Sequence, residues 1–198
     1  IGTPDHWHAV MAIMAMKSGK DVYCEKPETL TIREGRVMAQ TARRYGRIFS
    51  GGSQRVWDDY NWCHKMIYGG RIGKPLEAWV NVGGPPGLCD LPPQPVPPGV
   101  DWDMWLGPAP WRPYHESLTR GGFRPYVDYS GGGTTDWGCH GFGGALFACN
   151  LHMTGPKEII PPDGKDVKNL TFVFENGFRM YHGGGWGGIL TFRGTEGE

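Results

Sequence analysis

Gly19-Lys20-Asp21-Val22-Tyr23-Cys24-Glu25-Lys26-Pro27 is the stretch on which the fold turns. Asp21 to Cys24 reads as a short buried strand that ends on a charged pair and a proline. Before it, Ala9, Val10, Ala12, Ile13, Met14 and Met16 recur at helical spacing from Asp5 to about Ser18. Thr3-Pro4-Asp5 supplies the helix start, and Gly19 the stop. After it, Thr31 with Glu34 three residues on forms a capping box, predicting a helix to about Tyr45, closed by Gly46. Arg47-Ile48-Phe49-Ser50 then reads as another strand. Strand end, helix, strand, helix, strand is the βαβ order of a doubly wound α/β sheet.

Residues 1–50 are therefore predicted to be the C-terminal part of a Rossmann-type dinucleotide-binding domain, without its phosphate-binding half. Beyond Gly51-Gly52 the pattern changes. Trp57 to Tyr68 is helix-like, and Leu76 to Val82 alternates as a half-buried strand. Ten of the seventeen prolines fall between Pro85 and Pro113, a segment expected to lack regular structure. A loop that long is more often functional than decorative. Gly131-Gly132-Gly133 precedes a helix expected from about Thr135 to Cys149. Strands follow near 170–174, 178–181 and 189–192, with Glu175-Asn176-Gly177 turning the first two into a hairpin. Residues 51–198 are thus expected to form an α+β domain with a mainly antiparallel open sheet, incomplete at its C-terminus.

Composition narrows the function. Twenty basic and twenty acidic residues balance, with no basic stripe, so neither nucleic acid nor a membrane surface is indicated. No apolar run approaches the ~20 residues that span a bilayer. The start at Ile1 and the end at Gly194-Thr195-Glu196-Gly197-Glu198 are read as cut. Cys24, Cys63, Cys89, Cys139 and Cys149 make no C-x-x-C pair, so no metal site is expected. A reducing compartment, the cytoplasm, is the plain reading, with an exported, pre-folded protein as the other. High glycine, proline and tryptophan suggest long ordered loops with aromatic surface, as around a carbohydrate.

Three residues stand out for chemistry. Lys26 follows a strand expected to be parallel, and open α/β sheets bind ligands at such strand ends. Its ammonium there can stabilise an alkoxide developing on a substrate hydroxyl. A plain surface lysine is the alternative. Asp136 and His140 are four apart, which on one helix puts both on one face. An imidazole can take a hydroxyl proton at neutral pH, and a carboxylate can orient it. A helix-capping Asp and a structural His are the alternative. His6 and His8 are too close in sequence to share a helical face as metal ligands. Trp102, Trp105, Trp111 and Tyr114 either stack on a sugar or nicotinamide ring or form a core for the loop. Gly183-Gly184-Gly185-Trp186-Gly187-Gly188 has phosphate-loop spacing but opens no helix, so a bulged turn is expected.

Taken in order, Thr3-Pro4-Asp5-His6-Trp7-His8, Gly19 to Pro27, Gly52-Ser53-Gln54, Gly70-Arg71-Ile72-Gly73-Lys74, Asp101 to Pro110, Phe123-Arg124-Pro125 and Asp136-Trp137-Gly138-Cys139-His140 resemble the Gfo/Idh/MocA oxidoreductases. The resemblance covers nearly the whole chain. It implies an NAD- or NADP-dependent enzyme acting on a sugar, polyol or cyclitol hydroxyl, and a homo-oligomer when full length. It assigns Lys26, Asp136 and His140 to catalysis, and Thr3, Pro4, His8, Glu25, Lys26, Pro27 and Trp105 to the cofactor. Arg124 and Tyr126 fall to the substrate.

Two departures matter. The Gly-x-Gly-x-x-Gly turn and the acidic ribose reader belong upstream of Ile1, so the 198 residues alone are expected to bind dinucleotide poorly and to be inactive as a fragment. Relatives usually carry an acid three residues after the histidine, where this chain has Gly143. That glycine keeps a second reading open, an NAD-using glycoside hydrolase or lyase working through transient oxidation and elimination.

Overall fold

The computed structural model describes residues 1–53, 59–185 and 187–198. Gln54 of the Gly52-Ser53-Gln54 motif, the expected helix start at Trp57, and Trp186 of the glycine run lie outside the described residues. In chain order the elements are α1 (Asp5–Lys17), β1 (Val22–Cys24), α2 (Ile32–Tyr45), β2 (Phe49–Gly51), α3 (Asp59–Tyr68), β3 (Pro75–Val80), α4 (Trp102–Leu106), α5 (Gly132–Asp136), α6 (Gly138–Ala148), β4 (Glu158–Ile160), β5 (Leu170–Val173), β6 (Arg179–His182) and β7 (Leu190–Gly194). Packing groups them into two compact units. One joins Ile1–Ser53 to Gly84–Asp136, and the other joins Gln54–Gly83 to Trp137–Glu198. The sequence pattern changes at residue 50, whereas by packing the proline-rich stretch goes with the front of the chain.

In the first unit β1 and β2 pair in parallel, with Val22, Tyr23 and Cys24 opposite Phe49, Ser50 and Gly51. Helix α1 buries Ala9, Ala12 and Met16, one face at helical spacing, against Val22, Cys24 and Met38. The capping box of α2 is present: Glu34 N–H donates to Thr31 Oγ1 at 3.2 Å, and Glu34 Oε2 accepts from Thr31 N–H at 2.8 Å. Strand β2 starts two residues later than expected. Ile48 gives its N–H to Asp21 Oδ1 at 2.8 Å rather than to the ladder.

The proline-rich stretch has a core of its own. Trp102, Leu106, Tyr114, Leu118, Phe123 and Tyr129 are buried together. Asp101 caps the short helix α4, its Oδ1 accepting from Met104 N–H at 2.9 Å. That helix corrects the expectation of no regular structure, because the segment between Pro98 and Pro108 is long enough for one capped turn. The aromatic question resolves unevenly. Trp102 and Tyr114 are core, Trp111 is 72% exposed, and Trp105 lies between.

The second unit holds a five-stranded sheet in the order β4-β5-β6-β3-β7. Three of its four pairings are antiparallel, and β3–β6 is parallel. The hairpin at Glu175-Asn176-Gly177 joins β5 to β6, with Phe174 and Phe178 buried at its base. Strand β4 was not foreseen, since three residues at a sheet edge leave almost no periodicity. The sheet buries Ala78, Val80 and Met180 under α6, along with Ala145 and Leu151.

The glycines of α6 divide by environment. A Cβ on Gly141 would lie 2.5 Å from Val80 Cγ1, and one on Gly144 would lie 2.7 Å from Tyr60 Cε1. A Cβ on Gly143 meets nothing within 4 Å. Glycine at 143 is therefore not a packing requirement. We expect Gly143→Ala to raise stability by about 0.5–1 kcal/mol. Gly144→Ala should lower it by roughly 1–3 kcal/mol. Chemical denaturation of the two variants checks both.

The glycine run between β6 and β7 opens no helix. Gly183, Gly184, Gly185, Gly187 and Gly188 all have positive φ, the backbone of successive turns.

Candidate active site

The site is built at the end of β1. Cys24 is fully buried, and past it the chain turns outward as Glu25-Lys26-Pro27, whose Lys26–Pro27 peptide is cis. Glu25 N–H donates to Ile1 O at 2.8 Å, and Gly52 N–H donates to Cys24 O at 2.7 Å. Gly52 sits so close that a Cβ there would lie 2.9 Å from Glu25 Cα, which explains a glycine directly after β2.

Lys26 and Asp136, 110 residues apart, meet in the first unit. Lys26 Nζ lies 2.5 Å from Asp136 Oδ1 and 2.9 Å from the Asp136 carbonyl oxygen. The two side chains are 16% and 15% exposed. Arg124 Nε lies 3.4 Å from Asp136 Oδ2, so one carboxylate joins two cations. The Arg124 guanidinium also rests 4.9 Å from the centre of the Phe123 ring.

This contact revises the expected helix. A single helix over residues 135–149 requires the Asp136 carbonyl to accept from His140 N–H. That oxygen accepts from Lys26 instead, α5 ends at Asp136, and His140 N–H donates to Trp137 O at 3.0 Å as α6 begins. Asp136 and His140 are on different helices, so the one-face argument for the pair does not hold. In the second unit His140 is 7% exposed, stands edge-on to Trp137 and lines a cavity of about 200 Å³ with Tyr60, Cys63 and Leu190.

The residues assigned to a cofactor occupy different surroundings. Thr3 Oγ1 is buried with no hydrogen-bond partner among the described residues. Pro4 precedes α1 and accepts Trp7 N–H at 3.0 Å. Glu25 is half-buried and Pro27 buried. His8 is 1% exposed, with Nδ1 2.7 Å from Pro27 O and Nε2 2.8 Å from Thr3 O. Trp105 stacks on Trp102, and its carbonyl accepts from His6 Nε2 at 3.0 Å and Trp7 Nε1 at 3.1 Å. Tyr126 is half-buried, and its backbone is engaged at Gly87 and Phe123.

Sequence reading missed what backs this region. Asp5 and His6 are 4% and 2% exposed. Burial pushes the Asp5 carboxyl above the ordinary carboxylate range, while the Ser130 hydroxyl, His8 and Arg124 draw it down. Burial likewise pushes His6 down, so its ring is neutral at pH 7, with Nε2–H directed at Trp105 O. Tyr129 packs edge-on against both His6 and Trp105. The signal was an Asp-His pair in a first helical turn, a position that normally faces water.

Among the described residues no group of three His, Cys, Asp or Glu side chains is placed to hold a metal ion, and no helix is long and apolar enough to cross a membrane. Burial pushes Cys24 up to about 11 and Cys149 up to about 12, so neither supplies a thiolate at neutral pH.

Family models match both parts of the chain. Residues 1–53 match the oxidoreductase family's NAD-binding Rossmann fold, and residues 63–162 match its C-terminal alpha/beta domain. Scyllo-inositol 2-dehydrogenase (NAD(+)) of Bacillus subtilis is 35% identical over 77 residues, which cover 38% of this chain and 22% of that enzyme. The 2,7-anhydro-N-acetylneuraminate hydratase of Mediterraneibacter gnavus is 32% identical over 77 residues, 38% of this chain and 21% of that protein. The crystal structure of an NAD-binding protein from Listeria innocua superposes with a TM-score of 0.62 at 24% identity, covering 98% of this chain and 50% of that one. The chain thus spans about half the length of a solved relative. With both domain types matched in order across most of its length, the chain belongs to the Gfo/Idh/MocA oxidoreductase family.

Proposed function

We propose that the protein containing this chain transfers a hydride between a nicotinamide dinucleotide and a hydroxyl-bearing carbon of a sugar, polyol or cyclitol. The observation that carries the reading is the bonding of Lys26. A lysine ammonium has three N–H donors. Asp136 Oδ1 and the Asp136 carbonyl use two, and no third partner occurs among the described residues. The remaining donor has its direction fixed by the other two, at the end of a parallel strand where α/β sheets bind ligands.

The residues fit a nicotinamide at its reactive end. Thr3 offers an orphaned hydroxyl, and one imidazole, His8, bridges the Thr3 carbonyl to the loop of Lys26. Thr3 and Glu25 would hold that end, and the bound ring supplies the hydride acceptor or donor. In the oxidation direction Lys26 donates its third N–H to the substrate hydroxyl and lowers the energy of the developing alkoxide. Asp136 keeps the ammonium aimed, and Arg124 supports Asp136. The assignment of proton acceptance to His140, and of substrate contact to Tyr126, rests on family resemblance.

The experiment is a panel of sugars, polyols and cyclitols offered to the whole protein with NAD or NADP, following reduced cofactor by absorbance. Turnover of at least one class is expected, and none across a broad panel removes the reading.

A second reading is elimination or water addition through transient oxidation. The open space at Gly143 and the hydratase relative favour it. It predicts aglycone release from a chromogenic glycoside without net change in reduced cofactor.

A further inference from the structure

The first turn of α1 ties down two loops of the first unit. His6 and Trp7 both donate to the Trp105 carbonyl, and His8 reaches the other way. Its ring bonds Pro27 O through Nδ1 and Thr3 O through Nε2, in a setting 1% exposed. A carbonyl oxygen only accepts, so the ring makes both bonds only by donating from both nitrogens. No ring nitrogen is then left for a ligand. On the other side of Lys26, the Glu25 N–H is held by Ile1 O. The main chain is fixed both before and after the lysine.

We propose that His8 is a positioning residue, a double-donor clamp between the Thr3 and Pro27 carbonyls that sets the direction of the Lys26 ammonium; the catalytic half of this rests on the role of Lys26 given above. The clamp replaces the direct cofactor contact expected for His8. Asp5, three residues earlier on the same helix, supplies a nearby carboxylate. Burial pushes that carboxyl up, and the Ser130 hydroxyl draws it back. His6, next to it, is neutral.

The test begins with the unsubstituted chain. The ¹⁵N shifts of the His8 ring should report a proton on both nitrogens, and a ring with one bare nitrogen overturns the clamp. In the whole protein, His8→Ala should lower kcat on the order of 100-fold, the scale set by a displaced catalytic group, with KM near its original value. Added imidazole should restore activity, whereas pyrrole, of the same size with a single N–H, should not. Unchanged kcat, or equal rescue by pyrrole, also overturns the proposal. If His8→Ala does not fold, the ring shifts decide. A doubly protonated ring beside a fully active Lys26→Ala protein leaves the clamp standing and removes the role given to Lys26.

Discussion

Lys26→Ala is expected to reduce kcat of the whole protein by roughly 10²–10³-fold, the cost of losing one donor aimed at a developing oxyanion. Cofactor affinity should stay as it was, because the residues at Thr3 and Glu25 remain. Lys26→Arg should not rescue. A guanidinium is a planar fork and cannot place two N–H donors on Asp136 and a third on substrate from one atom. Stability should change little. Asp136 keeps Arg124 at 3.4 Å, so its carboxylate is not left without a cation. Single-turnover measurements isolate the chemical step, and a Lys26→Ala protein retaining most of its rate would end the assignment.

Asp136→Ala should do the reverse and act first on stability. Among the described residues Lys26 has a single carboxylate within ion-pair distance, and its side chain is only 16% exposed. Removing one partner of a largely buried pair costs about 3–5 kcal/mol. The Asp136 carbonyl, 2.9 Å from the amine, survives the substitution and moves the expected loss to about 3 kcal/mol, the lower end of that range. Activity should fall as well, since the ammonium loses one of the two bonds that aim it. The double variant Lys26→Met with Asp136→Leu separates the effects. It should recover most of the stability, having no buried charge to satisfy, and none of the activity. Thermal melts and kcat on the three proteins check this. A stable Asp136→Ala chain would mean that the pair does not hold the loop.

Much of the fold was legible because its signals are local. The capping box at Thr31 and Glu34, the apolar face of α1 and the Glu175-Asn176-Gly177 turn each lie within a few residues of what they specify. The misses share a cause, which is a distant partner. The helix break at Trp137 depends on a lysine 110 residues away taking a carbonyl oxygen. The start of β2 depends on Asp21, and the parallel pairing of β3 with β6 joins strands about a hundred residues apart. For the site, Lys26 with Asp136 was readable from residue type and position. The burial of Asp5 and His6 was not, because polar residues in a first helical turn are ordinarily solvated. The two carbonyl contacts of His8 were not readable, since sequence carries no trace of which atoms face an imidazole.

The chain changes units at residues 53/54, 83/84 and 136/137, so neither unit is a continuous stretch of polypeptide. Domains generally fold as units during synthesis, at roughly 5–20 residues per second. The ribosome must therefore release residue 136 before the first unit can close, and β3, made early, waits for β6 and β7 near the end. A premature stop between residue 83 and strand β7 leaves strand β3 with an open edge, a template for wrong pairing between nascent chains.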